Sequence, residues 1–252
     1  MAELRIIITG GGTGGHLFPA LAIGEEIKNR DSNAIIHFVG SKFGLESKVF
    51  PIKDVLHTLI PMRGIQRTIN LNNLKKNILL PYYILLSILR IQSLIKTFSP
   101  QVIIGTGGYA SAIPIFVGLR KKKSPIIILQ EQNSYPGLTN RLFSKKANFT
   151  CTAFLEADKY LKSKTILTGN PIRKGIELGN YSRAIKFFNF QKNQKTIFLF
   201  GGSQGSSFLN KIMNKVISQL SNKNIQVIWQ TGEDEYNKYN NKITNMVNIV
   251  PF

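Results

Sequence analysis

The chain has 252 residues, 43% of them hydrophobic and 18% charged, which excludes a disordered composition and leaves ample apolar material for buried cores. The length suits two domains better than one, and the single cysteine, Cys151, excludes an internal disulfide and therefore a disulfide-stapled secreted scaffold. The formal net charge of +20 favours anionic partners, but the excess of lysine over arginine fits a drift in base composition equally well.

The first predicted elements are two buried strands joined through a helix. Residues 4–9 predict the first strand, and this apolar run is too short to be the core of a signal peptide. Residues 34–41 predict the second strand. The helix between them has Pro19 in its first predicted turn. Its predicted apolar face comprises Leu17, Ala20, Leu21, Gly24 and Ile27.

Further strands follow, and the pattern then restarts. The segments 100–111, 125–134, 148–153 and 165–173 each contain a predicted strand, and the first domain is predicted to cover residues 1–168. The second domain, residues 169–252, holds a predicted series of strand, helix, strand, helix and strand. This alternation predicts α/β domains with parallel sheets, the second being about half of a doubly wound domain. The predicted elements of the second domain are 196–202, 206–220, 225–232, 233–241 and 247–252.

The stretch GGGTGGHLFPALA, residues 10–22, lies between the first strand and the first helix. Its glycine spacing approaches that of a phosphate-binding P-loop, but His16 and Leu17 stand where that loop needs a lysine and a hydroxyl residue. A dinucleotide-binding fold would need an acidic residue at the end of the second strand, where the chain has Gly-Ser-Lys at 40–42. Hydrolysis of nucleoside triphosphates and binding of NAD are therefore not predicted.

A strand-to-helix turn without side chains exposes backbone N–H groups at a positive helix end, which suits an anion or sugar hydroxyls. His16 lies at the mouth of this turn, where it either acts on a ligand or only caps and packs the turn. A similar turn, within residues 200–210, follows a strand of the second domain. Such a pair of turns could hold the two ends of one ligand, although the second is also explained as a tight turn alone.

Five motifs in a fixed order carry a resemblance to a known family. They are GGTGGH, GTGGYAS, LQEQNSYPGLTNR, TGNPIR and GGSQGS, and together they span most of the chain. In this order they resemble glycosyltransferase family 28, and within it the peptidoglycan N-acetylglucosaminyltransferases. The resemblance implies a GT-B fold, with two Rossmann-like domains whose parallel sheets face each other across a cleft.

The resemblance also implies an activity. Such enzymes move GlcNAc, with inversion, from UDP-GlcNAc to the C4 hydroxyl of MurNAc in undecaprenyl-pyrophosphoryl-MurNAc-pentapeptide, which is lipid I. The product is lipid II, which is used in peptidoglycan synthesis, cell shape and cell division. By the resemblance, the first domain holds the acceptor and associates with the membrane, and the second binds UDP-GlcNAc.

Particular residues match the family's motifs, and several have simpler explanations. Asn133 could only cap a turn, Ser203 could only cap a helix, and Arg173 could only form a surface ion pair. The residues that resemble UDP-GlcNAc contacts are Thr13, Gly14, Gly15, Asn133, Arg173 and Ser203. Those on the loops around the acceptor and the diphosphate are Gly11, Gly12, Gly107, Gly108, Tyr109, Gly202, Gln204 and Gly205.

The implied reaction needs a base and a means to offset charge on the departing UDP. His16 is the candidate base because of its place beside the glycines, and Glu131 is the weaker candidate. Backbone N–H groups of the turn, together with Arg173, would stabilise the leaving group.

No Asp-x-Asp pair occurs in the sequence, so the usual carboxylate seat for a metal-bridged diphosphate is missing. The reaction is therefore predicted to need neither a metal nor another cofactor. Glu233, Asp234 and Glu235 fall at a predicted helix start and are interpreted as structural. His37 lies in a predicted strand and His57 lacks nearby ligand types, so neither indicates a metal site.

A lipid-linked acceptor requires a membrane surface, and one segment suits it. Its uncharged centre, residues 77–89, is too short to span a hydrocarbon core of about 30 Å. With flanking basic residues it predicts an interfacial segment on anionic lipid, aided by the basic run 120–123; the alternative is a helix packed within its own domain. The residues predicted to face the membrane are Lys75, Lys76, Ile78, Leu79, Tyr82, Tyr83, Leu86 and Arg90.

In the family, the strand that resembles the last one here is followed by further segments, so we expect a chain truncated at its C-terminus. Two functions stay open. One is a transferase on the cytoplasmic face of the bacterial plasma membrane, with lipid I, UDP-GlcNAc, anionic inner-membrane lipid and proteins of cell-wall synthesis and division as partners. The other is a truncated, non-catalytic remnant or membrane-bound module that binds lipid I. Nucleic-acid binding is not predicted, because no reading helix or aromatic RNA-binding motif occurs.

Overall fold

The computed structural model describes residues 3–64, 74, 77–202 and 205–251. It divides the chain into two compact units, Met1–Lys174 and Gly175–Phe252, each with its own sheet and core. The sequence places the end of the first domain at residue 168, whereas the structural division follows Lys174.

The first unit is built on a seven-stranded parallel sheet with the order β3-β2-β1-β4-β5-β6-β7. From β1 the chain first extends the sheet on one side and then returns to extend it on the other. Apolar residues cover both faces of the central strands, as expected where helices flank a parallel sheet. The strands are β1 (Arg5–Thr9), β2 (Ile35–Ser41), β3 (His57–Ile60), β4 (Val102–Gly105), β5 (Ile126–Glu131), β6 (Phe149–Thr152) and β7 (Lys164–Leu167).

Helices cover both faces of this sheet and enclose two cores. Ile6 and Ile8 of β1 pack on one face with Leu17, whereas Ile7 between them packs on the other face with Ile91. Successive strand residues point to opposite faces, so this is the pattern of a doubly wound domain. The helices described are α1 (Gly14–Arg30), α2 (Glu46–Ile52), α3 (Leu80–Phe98), α4 (Tyr109–Leu119) and α5 (Leu138–Phe143), with 3-10 turns at Ser144–Lys146 and Leu155–Tyr160.

Helix α1 follows its predicted apolar face but differs from the prediction at its proline. Leu17 and Ala20 are buried, and Gly24 lies so close to Phe38 that a Cβ there would be 2.5 Å from the ring. The sequence places Pro19 in the first turn, but the helix begins at Gly14 and Pro19 is its sixth residue. Because proline has no N–H, Pro19 cannot donate a hydrogen bond to the carbonyl of Gly15. That carbonyl lies at the start of the helix, next to the glycine turn.

The second unit has a three-stranded parallel sheet with the order β10-β9-β8. Met213 and Ile217 pack against Val227 and Trp229 to form its core. Its elements are α6 (Tyr181–Phe188), β8 (Thr196–Phe200), α7 (Ser207–Asn222), β9 (Gln226–Gln230), α8 (Glu233–Tyr239), a 3-10 turn (Asn240–Lys242) and β10 (Val247–Val250).

The predicted fold class, α/β with parallel sheets and a smaller second sheet, is confirmed. Several elements have no counterpart in the prediction, among them α5. Strand β3 begins with the polar pair His57 and Thr58, the short helix α2 contains Pro51, and α6 buries none of its residues. Strand β3 and helix α2 are too short to show a clear apolar period.

Candidate functional site

The sheet of the first unit reverses its strand order between β1 and β4. At such a point the loops after the two strands lead to opposite faces and leave a crevice, in which parallel α/β proteins bind ligands. The loop after β1 is the glycine turn 10–13, and the loop after β4 is residues 106–108, which belong to the GTGGYAS motif. The carboxyl end of β5, which follows β4 in the sheet, lies at the same edge.

The two turns are in direct contact, and glycine makes the contact possible. A Cβ on Gly108 would lie 2.1 Å from the carbonyl oxygen of Gly11, and Gly108 has a φ of 76°, which other residues rarely adopt. A Cβ on Gly12 would lie 2.5 Å from the ring of Tyr109. Together with Gly107, these predicted loop residues therefore form one continuous surface.

His16 is half-buried in the first turn of α1, and its ring lies against the loop 106–108 after β4. A Cβ on Gly107 would lie 2.9 Å from His16 Nδ1. That nitrogen is 2.9 Å from the carbonyl oxygen of Thr106 and 3.0 Å from Oε1 of Gln132, whose Nε2 donates to the same carbonyl at 2.7 Å. Both partners of Nδ1 are acceptors, so Nδ1 carries the proton and Nε2 has the lone pair. In this tautomer His16 can accept a proton at Nε2.

Glu131, the last residue of β5, is buried and bonded to its own loop. Its Oε1 accepts hydrogen bonds from the backbone N–H and the side-chain amide of Asn133, both at 3.0 Å. Its Oε2 accepts from the N–H of Gly137 and the side-chain amide of Asn140, both at 2.9 Å. These bonds fix the loop that carries Gln132 to His16.

The segment after β7 contributes Asn170, which the sequence analysis did not select. Its Nδ2 donates to the carbonyl of Gln132 at 3.3 Å, and its Oδ1 accepts from Nε2 of Gln130 at 3.5 Å. Arg173 is exposed on the first unit, with its guanidinium carbon 4.2 Å from the ring centroid of Phe18, beside an apolar cavity of about 440 Å³. Asn170 therefore joins the hydrogen bonds around Gln132, whereas Arg173 packs against α1.

The start of α1 presents backbone N–H groups at this edge. Thr13 precedes the helix and makes no side-chain cap hydrogen bond, and Gly14 is buried. Gly15 is exposed, and among the residues described a Cβ there would meet only the Thr13 hydroxyl, at 3.7 Å. The helix start thus leaves room for an anion or a sugar hydroxyl at its positive end.

Tyr109 belongs to a half-buried polar cluster beside the first glycine turn. Burial raises the pKa of its hydroxyl; a hydrogen bond with Ser41 lowers it, the Glu46 carboxylate raises it, and the Arg63 charge lowers it. The guanidinium of Arg63 in turn stacks 3.7 Å from the ring centroid of Phe43. The Tyr109 hydroxyl is therefore neutral near pH 7 and available as a hydrogen-bonding group.

The glycine turn of the second unit leads from β8 into α7. The N–H of Gly205 donates to the carbonyl of Gly202 at 2.9 Å, and a Cβ on Gly205 would lie 1.9 Å from the carbonyl oxygen of Thr231. The side chain of Ser206 caps α7. Two predicted site residues of this turn, Ser203 and Gln204, lie outside the described residues.

The acidic residues 233–235 open helix α8, as the sequence predicts. Glu235 accepts a hydrogen bond of 2.7 Å from the side-chain amide of the buried Asn210. That amide also donates to the carbonyl of Thr231, and its oxygen accepts from the indole N–H of Trp229, both at 2.9 Å. Glu235 therefore belongs to a network that joins α7, β9 and α8.

Helix α3 has one packed face and one exposed apolar face. Ile91 and Ile95 are buried, whereas Tyr82 and Leu85 are 57% and 55% exposed. Of the residues predicted to face a membrane, Ile78, Leu79, Tyr82 and Arg90 are exposed, Tyr83 and Leu86 are half-buried, and Lys75 and Lys76 lie outside the described residues. In the part of the chain that the structure describes, no helix is both long and apolar enough to cross a bilayer.

Within the same described ranges, no three His, Cys, Asp or Glu side chains converge as a metal site would require. His37 is buried in β2 and lies 2.8 Å from the Thr58 hydroxyl. Burial, together with the neighbouring His57, lowers the pKa of His37 to about 4. Burial raises the pKa of the Cys151 thiol.

Two family models match the chain. Residues 6–152 match the glycosyltransferase family 28 N-terminal domain, and residues 196–252 match the glycosyltransferase family 28 C-terminal domain. Among curated relatives, the UDP-N-acetylglucosamine--N-acetylmuramyl-(pentapeptide) pyrophosphoryl-undecaprenol N-acetylglucosamine transferase of Flavobacterium psychrophilum is 39% identical over 242 residues, which cover 95% of this chain and 64% of that protein. The enzyme of the same name from Thermodesulfovibrio yellowstonii is 38% identical, with 99% and 68% covered.

Solved structures show the same fold at low sequence identity. The chain matches Acinetobacter baumannii MurG with a TM-score of 0.62 and 20% identity over 99% of this chain and 66% of that one. It matches the UDP-GlcNAc 2-epimerase of Neisseria meningitidis with a TM-score of 0.63 and 13% identity over 98% and 72%. The chain thus spans about two thirds of the length of the proteins that it matches, with 64% of the Flavobacterium relative covered.

Proposed function

Because the chain belongs to glycosyltransferase family 28, we propose that it transfers GlcNAc, with inversion, from UDP-GlcNAc to the C4 hydroxyl of MurNAc in lipid I to give lipid II. The observation that carries this proposal is the meeting of two glycine turns and His16 at the point where the strand order reverses. Relatives that are 39% and 38% identical to this chain are named as N-acetylglucosamine transferases, which supports the same substrates here.

His16 is the proposed base. Its Nδ1 is bonded to two acceptors, so the lone pair of Nε2 is available for the proton of the attacking hydroxyl. Loss of that proton makes the acceptor oxygen nucleophilic as it forms the new bond to the anomeric carbon and the bond to UDP breaks. Glu131 is the weaker candidate, because four hydrogen bonds from its own loop engage both of its oxygens.

The glycine turns supply the proposed means of binding the negative groups. Backbone N–H groups at the start of α1 suit the diphosphate or the sugar hydroxyls, and Thr13, Gly14 and Gly15 lie there. Asn133, Arg173 and Ser203 are further proposed contacts with the donor. Since these are neutral or positive groups, we propose that the reaction needs no metal ion.

The exposed face of α3 supports a peripheral position on the cytoplasmic face of the plasma membrane. Tyr82, Leu85 and Leu89 place apolar surface next to the exposed Arg90, and such a combination binds the interface of an anionic bilayer. Lipid I would be reached from this surface. Proteins of cell-wall synthesis and division are proposed partners, whereas nucleic acid is not.

A second candidate function is favoured by the exposed apolar face of α3, which suits a membrane-bound binding module. In this alternative the chain binds lipid I at the membrane and does not turn it over.

A transfer assay with a short-chain lipid I analogue and UDP-GlcNAc, with and without EDTA, distinguishes these functions in the 252-residue chain. We expect transfer that EDTA does not abolish. At saturating acceptor, His16→Ala should lower turnover about a hundredfold or more, because it removes the base. The matched control, His57→Gln, alters a histidine on β3 and should leave turnover near that of the natural chain.

Near-normal turnover by His16→Ala would eliminate His16 as the base. Binding of the analogue without turnover by the natural chain would favour the second function, and neither binding nor turnover would refute both. Loss of transfer in EDTA, restored by a divalent cation, would contradict metal independence.

Vesicles of phosphatidylglycerol and phosphatidylcholine test the membrane position. Leu85→Gln combined with Leu89→Gln should weaken vesicle binding about tenfold or more, because two apolar side chains lose their burial. Gln92→Ala, an exposed change on the same helix, should not. Binding should also weaken from about 0.1 to about 1 M salt, and salt-insensitive binding would contradict the electrostatic part.

A further inference from the structure

Glu46 is a buried carboxylate next to the glycine turn of the first unit. It is the first residue of α2 and has no exposed surface. Its Oε1 accepts hydrogen bonds from the N–H of Gly12 at 3.0 Å and from the N–H of Ser41 at 2.9 Å. Gly12 lies in the turn after β1, and Ser41 is the last residue of β2. One oxygen atom therefore joins the loops of two neighbouring strands.

Glycines leave the space that this carboxylate occupies. A Cβ on Gly11 would lie 1.8 Å from Glu46 Oε1, and a Cβ on Gly44 would lie 2.2 Å from Oε2. A Cβ on Gly40 would lie 2.7 Å from the Cβ of Glu46. A side chain at any of these three positions would displace the carboxylate, so the backbone of two loops is fitted around it.

The second oxygen of Glu46 is the unusual part of this arrangement. Oε2 is buried, and among the residues that the structure describes it has no hydrogen-bond partner. A buried carboxylate oxygen without a partner lowers stability. A buried group that lowers the stability of the fold is expected where it holds the residues of a functional site in place.

Tyr109 contacts Gly12, the glycine whose N–H donates a hydrogen bond to Glu46. A Cβ on Gly12 would lie 2.5 Å from the Tyr109 ring, and Gly12 has a φ of 91°. Gly12 is thus bonded at its N–H and packed at its Cα. The residue that follows is Thr13, which leads into α1 and to His16.

We propose that Glu46 is a positioning residue. It fixes the orientation of the Gly12 peptide, and thereby the orientation of the glycine turn and of His16 toward the bound ligand. Glu46 does not touch the ligand itself, because its side chain has no exposed surface. The consequence for transfer rests on the proposed function, whereas the anchoring of Gly12 is a property of the turn alone.

Amide hydrogen exchange, followed by NMR on the ¹⁵N-labelled 252-residue chain, tests the anchoring without any need for turnover. In Glu46→Ala, the amides of Gly12 and Ser41 should exchange about tenfold faster or more. Glu46→Gln keeps the Oε1 acceptor and should restore both rates to within about threefold of the natural chain.

Two glycine variants complete this experiment. Gly44→Ala should speed the same two amides, because the new methyl group would lie 2.2 Å from Oε2 and 2.8 Å from Oε1 and so displace the whole carboxylate. The matched control is Gly179→Ala, since Gly179 has no described neighbour within 4 Å of the Cβ position and should leave both rates unchanged.

Unchanged exchange at Gly12 and Ser41 in Glu46→Ala would overturn the proposal. Equal acceleration of amides throughout the first unit would also overturn it, because general loss of stability is not positioning. If Glu46→Ala does not fold, Gly44→Ala and Glu46→Gln decide between these outcomes.

The transfer assay separates the positioning role from the proposed function. At saturating substrates, Glu46→Ala should lower kcat about tenfold, and Glu46→Gln should stay within about threefold of the natural chain. Loss of anchoring with unchanged kcat would overturn the positioning role. A natural chain that anchors Gly12 but transfers nothing would instead refute the proposed transferase and leave the anchoring intact.

Discussion

The turn after β1 and the turn after β8 both lead from a parallel strand into a helix through glycines, yet their surroundings differ. In the first unit, a Cβ on Gly10 would lie 1.8 Å from Thr106 Oγ1, and one on Gly108 would lie 2.1 Å from Gly11 O. In the second unit, Gly202 has a φ of 79°, but a Cβ there would meet nothing within 4 Å among the described residues. In the second turn Gly205 serves packing, since a Cβ there would lie 1.9 Å from the Thr231 carbonyl oxygen, whereas Gly202 serves only the path of the chain.

Alanine at matched glycines tests this difference most directly. Gly108→Ala combines a positive φ with overlap on a backbone oxygen and should lower the free energy of unfolding by about 3 kcal/mol or more. Gly202→Ala has nearly the same φ and open space, so its cost should be about 1 kcal/mol. Urea unfolding followed by circular dichroism measures the losses, and the fluorescence of Trp229 reports the second unit. Equal losses would contradict the comparison.

The two units should also respond differently to acid. His37 has a folded pKa of about 4 and an ordinary unfolded value of about 6.5, so below pH 6.5 the unfolded state binds the proton first. The contribution of His37 to stability is fully present above pH 6.5 and is lost as pH falls towards 4, by up to about 3 kcal/mol. The histidines of the chain all lie in the first unit, at positions 16, 37 and 57.

Urea unfolding between about pH 7.5 and about pH 4.5 measures this loss. The two limits bracket the ordinary histidine pKa of about 6.5 and stay above the ordinary pKa of most carboxyl groups. His37→Gln should flatten the decline of the first unit, while the Trp229 transition should change little. A decline that His37→Gln leaves unchanged would show that another group causes it.

The second unit has a buried hub of its own, and its loss should have a smaller effect than Gly108→Ala or the protonation of His37. Asn210→Ala removes the partners of the Trp229 indole and of Glu235 and should cost about 2 kcal/mol. Asn222→Ala, an exposed change at the end of the same helix, should stay within about 0.5 kcal/mol. The fluorescence of Trp229 follows both variants, and equal stabilities would argue against the hub.

The fold could be predicted from the sequence wherever an apolar run ended in a turn. Strands β1, β2, β4 and β5 are predicted by such runs, and so are the three strands of the second unit. Strand β3 was not predicted because it is short and starts with polar side chains. One of them, Thr58, forms a hydrogen bond with His37 of the neighbouring strand. Helix α6 was not predicted, although its apolar residues Ile185 and Phe188 are half-buried.

The site could be predicted only in part. The glycines and His16 stand in ordered motifs, and the resemblance to glycosyltransferase family 28 that these motifs carry is confirmed. Gln132 and Asn170 lie inside two of the five motifs, but their hydrogen-bond partners are distant in the sequence and are recognised only in the fold. Glu46 stands in a polar stretch with no motif, and glycines of two different loops make room for it.

The strand order also determines when the site can form. Strand β1 is the third of the seven strands, between β2, which follows it closely in the chain, and β4, which is about a hundred residues away. The half containing β1 to β3 can assemble early during synthesis, but Gly108 meets Gly11 only when β4 docks, and Gln132 reaches His16 only after β5 follows. The crevice is therefore the seam along which the two halves of the unit join.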